Sequence, residues 1–288
     1  MPMRFIGHEK ASFTNFKKFY CNISMRFGHY VIDGYKNLEV LKEELGTCSL
    51  RRTKDLLTLP PKIIIPEFIE MESTQEKFYN DIQAGVIEEA DRVNIKTTSL
   101  LGLVTRLRQA ATCPSVLTTK SIQSSKIDRA VELIEEITSN NEKVVLFSTF
   151  KEPLYKIKEK LSIDSLICTG DQKDSDISSD IDKFQTDPNC LVMLASISKM
   201  STGITLNAAS YGILLDSPWT ESDFSQACDR LHRIGTTSKV TIYNLIAKDT
   251  IDERVWALVN DKKLMSDYII DDKNPASENE KLRYLLGL

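Results

Sequence analysis

From residue 127 onward, short apolar runs alternate with amphipathic stretches. The apolar runs are KVVLFSTF (Lys143–Phe150), SLICTG (Ser165–Gly170), CLVMLASIS (Cys190–Ser198), YGILLD (Tyr211–Asp216) and KVTIYNLIA (Lys239–Ala247). Each is short and largely apolar, the signature of a buried strand. Between and around them, IDRAVELIEEI, a lysine-rich stretch after Lys151, a segment ending near Phe184, the QACDRL stretch and IDERVWALV have helical spacing. Strands alternating with helices predict an α/β fold with a parallel sheet covered on both faces. Ligands of such sheets sit outside the carboxyl ends of the strands. That singles out Ser148–Phe150, Gly170, Ser196–Gly203 and Asp216–Trp219.

The first part of the chain has a different grammar. FTNFKKFY (Phe13–Tyr20) carries aromatics at helical spacing, and LEVLKEEL (Leu38–Leu45) predicts an amphipathic helix stopped by Gly46. The remainder of this part is irregular. In LRRTKDLLTLPPK the prolines end local structure, and KIIIPEFIEM predicts an extended, largely buried run. Ser73 to Ala111 is helical in pattern and ends at Cys113-Pro114. SIQSSK (Ser121–Lys126) is the clearest linker, with serines available to cap the next helix.

At 288 residues the chain suits one large domain or two modest ones. Its net charge of −4 hides an asymmetry: residues 1–65 hold eleven Lys/Arg against six Asp/Glu. A basic front segment fits a polyanion only weakly in a protein of pI near 5.6. The six cysteines are scattered without a CxxC pair, and Cys228 and His232 have no second ligand pair, so no metal site is expected. Reduced thiols, no apolar run of bilayer length and no secretory leader predict a cytoplasmic protein, or a nuclear one in a eukaryote, with no membrane partner.

The segment QACDRLHRIG places Arg230 and Arg233 three apart on what its spacing predicts is one helix, so they share a face. Guanidinium is permanently charged and donates two hydrogen bonds to adjacent phosphate oxygens, which suits a multi-phosphate anion. On those residues alone, a surface helix whose arginines pair with Asp229 and Glu221 is the better fit, and only the surroundings reverse it.

The motif order resembles the second RecA-like lobe of superfamily-two helicases, and within them the Swi/Snf-type DNA translocases. KVVLFSTF resembles the motif that opens that lobe, SISKMSTGITLNAAS its fifth motif and QACDRLHRIG its sixth. LRRTKDLLTLPPK, MESTQEKFYND and LRQAATCP resemble the family's own inserts. TIYNLIAKDTIDERVW resembles its closing strand and brace helix. The resemblance runs from about Phe13 to Lys263, and the STGITLNAAS and IDERVW wording is nearest to the annealing-helicase branch. Met200-Ser201 replaces the usual glycine pair of the fifth motif, leaving Gly203, and Thr236 replaces the glutamine after Gly235. No GxxxxGK[ST] phosphate loop occurs, and no Asp-Glu segment ends an apolar strand. The chain therefore resembles the carboxyl-terminal half of a two-lobed motor, as a fragment, a split-gene product or a solo protein.

The resemblance implies a RecA-like parallel sheet flanked by helices over 121–262 and preceded by mainly helical protrusions. Residues 1–65 would hold the end of the first lobe and a crossing segment, 66–120 a helical protrusion, and 263–288 a brace helix and tail. It implies catalytic Arg233 with Arg230 as partner, both facing an open cleft without a buried partner, and nucleotide contacts from Gly203 and Gln226. It implies DNA-backbone contacts from Ser148, Thr149, Gly170, Ser196, Ser198 and Lys199. Arg106 and Arg108, like Arg51 and Arg52, would brace the lobe or reach a phosphate. Lys126, His232 and Trp219 would be packing residues. ATP and Mg2+ are expected only when a first RecA-like lobe is joined in cis or in trans, with double-stranded DNA as the other partner. The alternative is a stand-alone, non-catalytic DNA- or partner-binding lobe. An unrelated nucleotide enzyme would need a glycine-rich loop after the first strand, where Lys151-Glu152-Pro153 stands instead.

Overall fold

The computed structural model describes residues 12–26, 29–48, 59–92, 97–200, 204–218, 220–260 and 278–287. The chain divides into two compact units, Met1–Thr58 with Lys262–Lys281 and Leu59–Asp261 with Leu282–Leu288.

In the first unit, α1 (Phe13–Tyr20) is capped by Ser12, whose Oγ accepts from the Asn15 amide at 3.1 Å. Strands β1 (Cys21–Arg26) and β2 (His29–Tyr35) form an antiparallel hairpin, and α2 (Leu38–Cys48) follows. The hairpin departs from the helical and irregular expectation. Its signal is present in CNISMRF, where apolar Cys21, Ile23, Met25 and Phe27 alternate with polar residues at the strand period. Helix α2 also runs past Gly46, which is not among the glycines with positive φ. A helical glycine costs about 1 kcal/mol but does not by itself end a helix.

In the second unit, β3 (Lys62–Ile69) leads into helices α3 (Ser73–Arg92) and α4 (Thr97–Thr112). Helix α5 (Ser125–Ser139) starts at the linker serines, with Ser124 Oγ accepting from the Ile127 amide at 3.2 Å. Then come β4 (Val144–Ser148), α6 (Glu152–Lys160), β5 (Ser165–Cys168), α7 (Asp174–Thr186), β6 (Val192–Ser196) and α8 (Ile197–Met200). Strand β7 (Tyr211–Leu214), α9 (Glu221–Leu231), β8 (Val240–Ala247) and α10 (Ile251–Asn260) follow, and α11 (Glu278–Leu286) belongs to this unit from Leu282 on.

The six strands form one parallel sheet in the order β3-β8-β7-β4-β6-β5. Successive residues of β4 and β6 enter two different cores. Val145, Phe147, Met193 and Ala195 face one, while Val144, Leu146, Val192 and Leu194 face the other. Continuous apolar strands are the consequence of burial on both faces. A third cluster packs Tyr79, Leu107, Val255 and Leu282 among α3, α4, α10 and α11.

Strand β3 corrects two expectations. It is extended but not largely buried: only Ile69 is buried, while Ile63, Ile65 and Phe68 are exposed. It also belongs to the sheet and spans the boundary placed between 65 and 66. At an edge, one side of a strand needs no ladder partner, which admits Pro66.

Candidate functional site

At the carboxyl end of β7, Thr220 caps α9 by accepting from the Asp223 amide at 3.2 Å. The helix ends at Leu231, so Arg230 lies in its last turn and Arg233 lies beyond it. The arginines converge because the chain folds back, not because they share one helix. Thr236 Oγ1 donates to the carbonyls of Leu231 (2.9 Å) and Arg233 (2.8 Å) and accepts from the Arg233 amide at 3.1 Å. Gly235, at φ of 100°, makes the reversal possible. Thr236 thus holds this turn.

Both guanidiniums reach the loop after α8. Arg230 Nη1 donates to the Ile204 carbonyl at 3.3 Å, and Arg233 Nη1 donates to Thr205 Oγ1 at 2.9 Å and to the Ile204 carbonyl at 3.5 Å. In return, the Leu206 amide donates to the Arg230 carbonyl at 2.9 Å. Gln185 holds the same loop through the Thr205 carbonyl and the Ala208 amide, each at 2.9 Å. This corrects the expectation of arginines without buried partners: Arg230 is buried and hydrogen-bonded. A motif spacing cannot reveal it, because the acceptors come from a segment some 25 residues earlier. The Asp229 carboxylate meets Lys62 on β3 at 3.2 Å. Burial lowers the pKa of Arg230, Arg233 lowers it further, and the opposing pull of Asp229 is the smallest influence.

A second polar cluster lies at the ends of β4 and β7. Asp216, fully buried, accepts the Ser148 hydroxyl and, at 2.8 Å, the Thr149 amide. Arg108 of α4 donates to the Ser217 carbonyl at 2.6 Å and to Thr149 Oγ1 at 3.3 Å, and its guanidinium lies 5.5 Å from the Phe150 ring centre. Arg108 is thus a brace, whereas Arg106 is exposed. Burial raises the Asp216 pKa, against the opposing effects of Arg108, Ser148 and Thr149. Sequence reasoning placed Asp216 at a strand end but missed it as the hub. Its only signal was a lone carboxylate closing an apolar strand.

The remaining residues divide. Ser148 is wholly buried, with its hydroxyl donated inward. Ser196 is buried and shares a 2.9 Å hydrogen bond with exposed Ser198. Gly170 is exposed, and a Cβ there would stand 3.9 Å from the Lys199 side chain. Lys199 itself meets Asp174 at 3.0 Å. Gln226 is exposed on α9. His232 is buried, with Nε2 2.7 Å from the Pro60 carbonyl. Lys126 is fully buried against Asp252 at 2.6 Å. Gly203, Trp219, Arg51 and Arg52 lie outside the described residues. Among the described residues, no three His, Cys, Asp or Glu side chains are grouped to hold a metal ion, and no helix is long and apolar enough to cross a membrane.

A parallel sheet covered on both faces, with paired arginines gathered beyond its strand ends, defines a RecA-like helicase lobe. Residues 125–235 match the helicase conserved C-terminal domain. Residues 3–116 match the SNF2-related domain, and the chain belongs to the SNF2-type helicases as a carboxyl-terminal half. It is 31% identical over 246 residues to an uncharacterized ATP-dependent helicase of Mycoplasma pneumoniae, covering 83% of this chain and 24% of that protein. It is 35% identical over 156 residues to the ATP-dependent helicase FUN30 of Saccharomyces cerevisiae, covering 53% of this chain and 14% of that one. The chain therefore spans about a quarter or less of the length of these relatives. Among solved structures, it is similar to the Sulfolobus solfataricus SWI2/SNF2 ATPase core in complex with dsDNA. The TM-score is 0.64 at 25% identity, over 87% of this chain and 56% of that one. The C-terminal part of the Fun30 ATPase domain shares the fold, with a TM-score of 0.62 at 23% identity over 80% of this chain and 99% of that one.

Proposed function

We propose that this chain is the second motor lobe of an ATP-dependent double-stranded DNA translocase. The carrying observation is the convergence of Arg230 and Arg233 on the Ile204–Thr205 loop beyond the strand ends. Held on a carbonyl and a hydroxyl, they retain their charge and suit a polyphosphate. ATP with Mg2+, gripped by a first lobe, supplies the phosphoanhydride. Arg233, the less buried of the two, places its guanidinium against the terminal phosphate. Arg230 fixes the loop at Ile204 and adds a second positive charge behind it. Gln226, exposed on α9, adds a polar contact to the nucleotide in this reading. Preorganised charge of this kind acts where negative charge accumulates, and an arginine finger is worth about 10³–10⁵ in rate.

The DNA backbone is assigned to the ends of β4, β5 and β6, through Thr149, Gly170, Ser198 and Lys199. Ser148 and Ser196 act behind them by fixing the loops. Contacts of this kind position a duplex without reading its sequence. The test is reconstitution with a first lobe carrying a phosphate loop, in cis or in trans. DNA-stimulated ATP turnover is expected with both lobes present and should fall at least a thousandfold with Arg233→Ala. Undiminished turnover in that variant overturns the assignment.

One second reading is a lobe that holds DNA or a partner without hydrolysis. Strong duplex affinity with no turnover in any reconstitution would select it.

A further inference from the structure

Two lysines at the strand ends are each engaged by a carboxylate from the segment between β5 and the first residue of α7. Lys151, just after β4, places its Nζ 3.0 and 3.1 Å from the two carboxylate oxygens of Asp171. Tyr155 donates to the same carboxylate at 3.2 Å. Lys199, on α8 after β6, meets Asp174 at 3.0 Å, and Asp174 is 91% exposed. Asp171 and Asp174 both follow β5. The parallel register sets Ser148 beside Ser196 and Cys168 beside Ala195, so the loops leave three strands at one level.

Exposed ion pairs of this kind contribute little to stability. Their geometry matters more for binding: a carboxylate offers an ammonium the same pair of anionic oxygens as a phosphodiester. We propose that Lys151 joins Lys199 as a DNA-backbone contact, and that Asp171 and Asp174 occupy these ammonium groups until backbone phosphates displace them. The proposal rests on the DNA reading above. It adds a residue to that surface and gives it a built-in competitor, which keeps the free lobe's grip on DNA weak.

The experiment measures anisotropy of a labelled blunt duplex against the 288-residue chain over a series of salt concentrations. Asp171→Asn and Asp174→Asn are each expected to tighten binding roughly two- to fivefold, the scale of one exposed ion pair. Lys151→Ala should weaken binding and reduce the salt slope by about one. In the Lys151→Ala background the gain from Asp171→Asn should vanish, because that gain acts through Lys151. Asp164→Asn, at the amino end of β5, is the control for net charge. A gain from Asp171→Asn that survives removal of Lys151, or that Asp164→Asn equals, overturns the proposal while leaving the DNA reading standing. A wild-type chain with no salt-dependent duplex binding removes the DNA reading and the proposal with it.

Discussion

The guanidinium of Arg108 lies 3.5 Å from the carboxylate of Asp216, and both groups are buried. The pair joins α4 to the carboxyl ends of β4 and β7. Arg108 also grips the Ser217 carbonyl, and Asp216 holds both Ser148 and Thr149. The strand-end loop is therefore set from behind, by a residue more than a hundred positions from Asp216.

This arrangement predicts a specific pH dependence. Burial raises the Asp216 pKa, so the folded state holds that proton more tightly than the unfolded chain. The contribution to stability is full below about pH 4 and is lost as pH rises through the elevated pKa. Asp216→Asn cannot titrate. Denaturant unfolding from about pH 4 to neutrality should show the variant gaining on wild type. Wild type gaining on the variant over that range would reverse the direction assigned to Asp216.

The two arginines should separate in stability and agree in activity. Arg230→Ala removes a buried donor from Ile204 and should cost about 1–3 kcal/mol. Arg233, partly exposed, should cost about 1 kcal/mol or less. Both variants should lose turnover when a first lobe is supplied, and Lys at 233 should not restore it. The 288-residue chain alone should show no turnover. Urea melts and coupled ATPase measurements check these outcomes, and equal melts for the two alanine variants would contradict the burial difference.

The fully buried Lys126 and its partner Asp252 form a pair that should not tolerate the loss of one member. Lys126→Met leaves a carboxylate uncompensated beside the Ala247 amide and should cost about 3–5 kcal/mol. Replacing both residues with apolar ones of similar volume should recover much of that loss. Chemical denaturation of the single and double variants provides the comparison, and a harmless single substitution would contradict it.

Gly212 on β7 has no room for a side chain. A Cβ there would stand 2.5 Å from Leu231 Cδ1 and 3.4 Å from Ile242 Cγ1. Leu231 is itself fully buried, next to Arg230. Gly212→Ala should cost about 1–3 kcal/mol through overpacking. Combined with Leu231→Ala, the loss should be smaller than the sum of the single losses. Simple additivity in unfolding measurements would mean that the clash is relieved elsewhere.

Period and spacing alone determined the alternating strands and helices from α5 to α10, because a parallel sheet buried on both faces demands short continuous apolar runs. The motif order also located the family and the strand ends where the chemistry gathers. The hairpin at Cys21–Tyr35 was written in the alternation but obscured by the aromatic helix before it. Other features had no local signal. The exposure of β3 follows from its place at the sheet edge, which its sequence does not state. Arg230 and Arg233 meet through a turn closed by Thr236 and through acceptors on a distant loop, and Asp216 becomes a hub only when Arg108 arrives from another helix. Periodicity reports which face of an element is apolar. Hydrogen-bond partners and burial depend on which elements become neighbours, and the tertiary structure alone decided that.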